Sequence, residues 1–191
     1  MYADSLERSA IKAWDWAIAN PNVIYNNNTG STAGLAAGNQ ETDEYGRSVA
    51  KMEAAEFLFE ITGEEKYKTF FESNYNNIHL IQWGFAYPFE TANQEILLYY
   101  TTLPGISSTV KTNILNKYKS AMEGADNFPA ITGKKDPYQA HIKDYTWGSN
   151  STKSSQGLMY ADYMYYNVNV PKNVQALEAA EGYIHYLHGI N

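Results

Sequence analysis

Cysteine is absent from all 191 residues of the chain. This absence excludes disulfide bonds, thiolate nucleophiles and zinc or iron–sulfur sites built on cysteine. It leaves the cellular compartment open, because disulfides are the feature that separates oxidising from reducing environments.

Positive charge is scarce, and long apolar runs are missing. The chain has 14 lysines and arginines against 21 aspartates and glutamates, which gives a net charge of −7. The basic residues form no runs, so neither nucleic acid nor an anionic membrane is predicted as a partner. No apolar stretch approaches the ~18 residues that a membrane-spanning helix needs.

Aromatic residues, in contrast, are abundant. The chain contains 17 tyrosines, 4 tryptophans and 7 phenylalanines, which together make up 15% of its residues. Tyrosine combines an apolar ring with a hydroxyl group, so it suits both a partly hydrated core and a sugar-binding cleft. Composition alone leaves both interpretations open.

Helical periodicity dominates the sequence, and no segment alternates like a strand between hairpin turns. The pattern therefore predicts an all-α fold with about seven helices. The first carries an apolar face from Leu6 to Ile18 and ends before Pro21, and the second covers about 46–61. A third opens near Glu64, and a long irregular loop covers 21–44. Four more helices are predicted at about 90–101, 107–124, 154–168 and 173–188.

Capping residues and apolar stripes refine these helices. N-caps are predicted at Asp4 or Ser5 for the first helix, at Ser107 or Ser108 for the fifth and at Asn173 for the last. Thr62-Gly63 is predicted to end the second helix. Apolar stripes are formed in the second helix by Val49, Met52, Ala55 and Leu58, and in the last helix by Leu177, Ala180, Ile184 and Leu187.

Five segments resemble the catalytic domain of family 9 glycoside hydrolases, in the same order and at similar spacing. Two are helical, AWDWAIANP at 13–21 and EAAEFLFEITGEEKY at 53–67. A short QWG follows at 82–84, and the most specific match is YTWGSNS at 145–151. The last is AAEGYIHYLHGIN at 179–191. The resemblance thus extends over nearly the whole chain.

The resemblance implies an (α/α)6 barrel of twelve helices that hydrolyses β-1,4-glucans with inversion. Residues 1–191 would form a single domain that is the middle portion of this barrel, with about seven of the twelve helices. The expected partner is a β-glucan or cello-oligosaccharide. The resemblance also implies that the parent protein is secreted or periplasmic.

Inversion requires a basic carboxylate and an acidic carboxyl about 6.5–9.5 Å apart. In the family, the base comes from an Asp-Ala-Gly-Asp motif, and the acid is a glutamate beyond an Asn-Pro-His-His-Arg segment. Neither motif occurs in the 191 residues. No catalytic residue is therefore assigned, and the chain alone is predicted to be inactive or very weak, because each lost acid or base typically costs about 10²–10⁴ in rate.

Four residues are candidates for substrate binding. Trp147 lies in a polar loop and could stack on a sugar ring or plug the rim of the barrel, and Tyr145 is a weaker candidate beside it. Trp83 could line the cleft or belong to the core. Asp144 could bind sugar hydroxyls or cap a loop.

A structural calcium site is the one candidate metal centre, and no cofactor is predicted to be required. Many relatives carry an Asp-Glu pair near residue 48, where this chain has Ser48 and Val49. An acidic pair occurs slightly earlier, at Asp43 and Glu44, and its oxygens could bind calcium together with nearby carbonyls.

A second class of function stays open beside the hydrolase. The same aromatic loops would suit a helical module that binds carbohydrate or protein without catalysis. Helices that lack their barrel neighbours would expose apolar faces, and large exposed patches usually bind a partner. The sequence therefore also predicts self-association through exposed barrel edges.

Overall fold

A computed structural model describes residues 2–23 and 42–189. These residues form helices, turns and irregular segments, with no strand among them. The predicted all-α class is confirmed, and the helices are consistent with part of an (α/α)6 barrel. Most of the loop predicted at 21–44 lies outside the described residues. Within the described ranges, no helix is both long enough and apolar enough to cross a membrane.

Nine α-helices lie in the described parts of the chain. They are α1 Tyr2–Ala19, α2 Glu44–Thr62, α3 Glu65–Asn74, α4 His79–Trp83, α5 Thr91–Tyr100, α6 Ser108–Met122, α7 Phe128–Thr132, α8 Ser149–Tyr165 and α9 Asn173–His188. Short 3₁₀ turns occupy Tyr75–Asn77, Pro88–Glu90 and Val170–Lys172. The seven predicted helices correspond to all but α4 and α7, which are too short to show a period of 3.6 residues.

The helix ends confirm some of the predicted caps and correct others. Gly63 adopts a left-handed conformation with φ 68° and donates its N–H to the Phe59 carbonyl, so it ends α2 as predicted. The Ser107 hydroxyl accepts a hydrogen bond from the Val110 N–H at 3.5 Å and caps α6.

Two predicted N-caps are wrong. Helix α1 already begins at Tyr2, so Asp4 and Ser5 lie within it. Asn173 is the first residue of α9 rather than its cap, because the 3₁₀ turn at Val170–Lys172 leads directly into the helix. Helix α8 begins at Ser149, about five residues before the predicted start. Gly148 turns the chain there with φ 75°, and the polar first turns of α8 give no apolar signal.

The chain divides into two compact units, Met1–Phe71 and Glu72–Asn191. In the first unit, Trp14 of α1 is buried, and its ring meets the rings of Tyr67 at 5.3 Å and Phe70 at 4.9 Å edge-on. Helix α2 buries its predicted stripe, Val49, Met52, Ala55 and Leu58.

The second unit is organised around the pair of helices α8 and α9. Tyr160 of α8 stacks on Tyr183 of α9, with ring centroids 5.8 Å apart. The two backbones approach closely at Gly157, where a Cβ atom would lie only 2.9 Å from the Tyr183 Cβ. Both tyrosines are fully buried. The close approach explains why glycine occupies this position in the middle of a helix.

The apolar stripe predicted on the last helix is only partly buried. Leu177 and Ile184 are 42% and 52% exposed, and Leu187 is half-buried. Helix α9 instead packs on α8 through its small side chains and Tyr183, because small residues allow the backbones to approach. The buried residues of α9 are Ala176, Ala179, Ala180 and Tyr183.

Candidate functional site

A cleft of about 230 Å³ opens in the second unit. One wall is the segment 84–88 that follows α4, and the other is formed by the end of α6, the turn after it and residues 143–144. Gln156 of α8 closes the base. We call this the 85–144 cleft. Pockets for drug-sized ligands are typically about 300–1,000 Å³, so this cleft suits a smaller group such as a sugar unit.

Aromatic rings form the first wall. Phe85 and Tyr87 both line the cleft, with ring centroids 5.8 Å apart at a steep angle. Next to them, Trp83 stacks on Phe85 at 5.6 Å, and Phe89 lies 5.0 Å from Tyr87. These four rings, at 83, 85, 87 and 89, form one aromatic row. Trp83, Phe85 and Phe89 are each 46–47% exposed, so the row is accessible to solvent.

Neighbouring residues hold the aromatic row in place. Gly84 ends α4 with φ 72° and turns the chain into the row. The buried Gln94 donates its Nε2 hydrogen to the Tyr87 carbonyl at 2.7 Å. At the other end, the His79 ring stacks on Trp83 at 3.6 Å, and its Nδ1 lies 2.8 Å from Glu90 Oε1. The contact with His79 therefore fixes the orientation of the Trp83 ring.

Polar groups form the second wall. Asp126 is ion-paired with Lys143 at 3.2 Å and with Lys135 at 3.8 Å. The neighbouring Asn127 donates to the Ala121 carbonyl at 3.0 Å and accepts a hydrogen bond from Gln156 Nε2 at 2.6 Å. Both amide side chains are buried, so they fix the turn after α6 against α8. The cleft thus combines apolar ring faces with carboxylate, ammonium and amide groups.

Two of the four sequence-predicted binding residues lie at this cleft, and two do not line it. Asp144 lines it, and Trp83 lies beside it in the aromatic row. Trp83 is 47% exposed, so it does not belong to the buried core. Tyr145 and Trp147 do not line the cleft, and they are 63% and 101% exposed. Trp147 is therefore open to solvent rather than packed into a rim.

Sequence reasoning missed most of the cleft. Phe85 and Tyr87 could have been found, because aromatic residues recur at every second position after Trp83. Asp126, Asn127 and Gln156 gave no signal. They are distant in the chain from the aromatic wall, and the fold alone brings them to it.

The candidate calcium site receives no support from the described residues. Asp43 is the N-cap of α2, and its Oδ1 accepts a hydrogen bond from the Gly46 N–H at 2.7 Å. Glu44 is the first residue of that helix, where an acidic side chain stabilises the helix dipole. Within residues 2–23 and 42–189, no group of three or more histidines and carboxylates could hold a metal ion.

Asp162 is a buried carboxyl with a shifted pKa, and it lies outside the cleft. Asp162 of α8 is buried, and burial together with the charge of Glu95 raises its pKa from an ordinary 3.8 to about 7. Tyr118 of α6 lies near it, and burial followed by the Asp162 charge raises the pKa of that phenol well above its usual range. The Tyr118 hydroxyl donates to the Met159 carbonyl at 2.9 Å.

Comparison with known proteins gives one match. The family model described as glycosyl hydrolase family 9 matches residues 1–191, the whole chain. No curated protein and no solved structure matches it.

Proposed function

The chain belongs to glycosyl hydrolase family 9, and from this membership we propose that it is part of an inverting hydrolase of β-1,4-glucans such as cellulose. The role proposed for its own residues is to bind the glucan. The carboxyl pair that performs the reaction is proposed to lie outside these 191 residues, because neither catalytic motif of the family occurs in the sequence.

The composition of the 85–144 cleft is the observation that carries this proposal. Sugar rings present C–H faces that pack on aromatic rings, and Phe85 and Tyr87 supply such rings. Sugar hydroxyls both donate and accept hydrogen bonds, and Asp126, Asp144 and Lys143 supply acceptors and donors for them. A pocket with apolar walls and a few convergent polar groups is the usual form of a small-ligand site.

The aromatic row extends this surface beyond one sugar unit. Trp83 and Phe89 lie on either side of the two cleft rings, and each is about half exposed. A linear glucan repeats the same apolar faces along its length, so a row of rings suits a chain better than a single sugar. Tyr145 and Trp147 are proposed as further contacts, carried by the loop that also bears Asp144.

We expect Tyr87→Ala to weaken the binding of cellohexaose about threefold to tenfold, because it removes a stacking ring from the cleft. Isothermal titration calorimetry on the full chain measures this. Tyr165→Ala is the matched control, since Tyr165 is 72% exposed at the end of α8 and does not line the cleft. Equal loss in both variants, or no wild-type binding at millimolar sugar, contradicts the proposal.

The same protein samples test whether the catalytic residues lie within this chain. Release of reducing ends from cellohexaose is expected to be negligible for the full chain. Turnover that disappears in Asp126→Asn or Asp144→Asn would place catalysis within these residues. The proposed division between binding here and chemistry elsewhere would then be wrong.

A second proposed property is self-association, favoured by an apolar groove between α8 and α9. It has a volume of about 230 Å³ and is lined by Leu158, Ala161, Ile184 and Leu187, among others. Leu158 and Ile184 are 44% and 52% exposed. This observation also favours the alternative of a non-catalytic interaction module, with a second copy of the chain as the partner.

Sedimentation velocity is expected to show a concentration-dependent dimer that Ile184→Glu abolishes, because a charge in the groove would have to be desolvated on pairing. Val174→Glu is the control, since Val174 is 71% exposed on the same helix and does not line the groove. A wild-type chain that stays monomeric at high concentration contradicts the proposal.

A further inference from the structure

The α7–α8 loop, residues 133–148, carries four of the proposed glucan contacts, Lys143, Asp144, Tyr145 and Trp147. Asp144 faces the 85–144 cleft, while Tyr145 and Trp147 lie near the end of the loop and are exposed. A binding loop is useful only if its side chains are held near their bound positions, because ordering it on binding would lower affinity. Contacts that anchor the loop from elsewhere in the unit would therefore favour binding.

Lys153 of α8 provides such an anchor. Its side chain is 2% exposed, and its Nζ donates to the Ala140 carbonyl at 2.6 Å. The same Nζ lies 3.3 Å from Asp136 Oδ2. It also lies over two aromatic rings, 3.8 Å from the centroid of Tyr186 and 5.5 Å from that of Tyr145. One buried cation thus contacts the loop at positions 136, 140 and 145.

The buried ammonium of Lys153 makes polar contacts that an apolar side chain could not make. A buried ion pair is often no more stable than well-packed apolar residues of similar volume. A methionine at position 153, in contact with Tyr186, would pack between the helices equally well. An ammonium group, in contrast, can bind the backbone carbonyl of Ala140 and the carboxylate of Asp136 together.

The backbone of the loop confirms that it is held in a specific conformation. Gln139, next to Ala140, has φ 55°, which is unfavourable for a residue other than glycine. Its N–H donates to the Asp136 carbonyl at 2.9 Å, and the Tyr138 N–H donates to Asp136 Oδ1 at the same distance. The Tyr183 hydroxyl donates a hydrogen bond to the His141 carbonyl, which is a second contact between α9 and the loop. Such strain persists only where surrounding contacts determine the fold of the loop.

We propose that Lys153 is the positioning residue of the α7–α8 loop, and that its charge holds Asp144 and Tyr145 in place for the glucan. The proposal rests on the proposed function for its ligand. The effect of Lys153 on the conformation of the loop does not depend on the proposed function. Lys153 contacts the loop and the two rings, and it does not line the cleft.

Three variants separate positioning from simple stability. Lys153→Met removes the charge and keeps the side-chain length. The double variant Lys153→Met with Asp136→Asn also removes the unpaired carboxylate, while the amide oxygen still accepts from the Tyr138 N–H. Lys153→Arg keeps the charge and several donors. Three quantities are measured in each: the thermal unfolding temperature, hydrogen exchange at the Gln139 amide, and the Kd for cellohexaose.

Lys153→Met is expected to speed exchange at the Gln139 amide at least tenfold and to weaken cellohexaose binding about fivefold to tenfold. Amides in the middle of α8 should exchange at the wild-type rate. The double variant should recover thermal stability without recovering loop protection or affinity. Lys153→Arg should recover part of both.

Two results would overturn the proposal. Unchanged exchange at Gln139 in Lys153→Met would show that the loop does not depend on the cation. Affinity and protection that return together with stability in the double variant would reduce Lys153 to a structural role. If the wild-type chain binds no cellohexaose, the proposed function fails, and the exchange measurement still decides whether Lys153 positions the loop.

Discussion

Asp162→Asn is expected to stabilise the protein by about 2–4 kcal/mol at pH 8 and to change its stability little at pH 4. A carboxyl whose pKa rises from 3.8 to about 7 on folding is harder to ionise in the folded chain, at a cost of up to about 4 kcal/mol. The cause is first burial and then the charge of Glu95. Asparagine has nearly the same shape and cannot ionise, so it avoids this cost.

The direction of the pH dependence follows from the same shift. Below about pH 4, Asp162 is protonated in both the folded and the unfolded chain, and it contributes no pH dependence. Between about 4 and 7, the folded chain binds the extra proton, so the stability of the wild type falls as pH rises. Above pH 7, both states are ionised and the full cost remains. Glu95 of α5 and Tyr118 of α6 are titratable groups that interact electrostatically with Asp162.

Urea unfolding of wild type and Asp162→Asn across this range measures the effect. Asp15→Asn on α1 is the control, because Asp15 is exposed and should give the same free energy of unfolding as the wild type at each pH. Glu95→Gln removes the neighbouring charge, so it should move the steep region to lower pH. Parallel stability curves for wild type and Asp162→Asn would show that Asp162 does not titrate abnormally.

Gly157→Val is the second substitution with a large expected effect, a loss of about 3 kcal/mol of stability. Glycine in an exposed helix is usually improved by replacement, with a gain of about 0.5–1 kcal/mol for alanine. Here the new Cβ would lie 2.9 Å from the Tyr183 Cβ and 3.3 Å from its Cγ. Overpacking of this kind typically costs about 1–3 kcal/mol, and a branched side chain leaves the least room to adjust.

Chemical denaturation compares Gly157→Val, Gly157→Ala and Leu158→Ala. Leu158 is the adjacent residue and is 44% exposed, so its truncation should cost well under the valine substitution. Gly157→Ala should also lose stability, although less than valine. A gain of stability in Gly157→Ala would mean that α8 and α9 have room to separate. The close approach of the two backbones would then be unnecessary.

The helices could largely be predicted from the sequence, because periodicity and caps are local signals. The α2 stripe and the cap at Ser107 illustrate this. The start of α8 could not, since its first turns are polar and only the turn at Gly148 marks it. The face that α9 buries could not either. Its larger side chains suggested a core, and the packing with α8 selected the small ones instead.

The candidate site divides in the same way. The aromatic row lies in one short segment, and Trp83 already pointed to it. The polar wall combines Asp126, Asn127 and Gln156 with that segment, and only the fold brings them together. Lys153 was undetectable for a different reason. A single lysine in a polar helical turn is predicted to be exposed to solvent. Its burial depends on the α7–α8 loop, which packs over it only in the folded protein.

The two walls of the 85–144 cleft differ in how well they tolerate substitution without loss of stability. The rings at 83, 85 and 89 are about half exposed and belong to one contiguous segment, so exchanging them changes the proposed glucan-binding surface with little loss of stability. Asn127 and Gln156 are buried and hydrogen-bonded to each other, so a change in either leaves its partner unsatisfied. Under the proposed function, a changed glucan preference is therefore expected from substitutions in the aromatic row, with Asn127 and Gln156 kept.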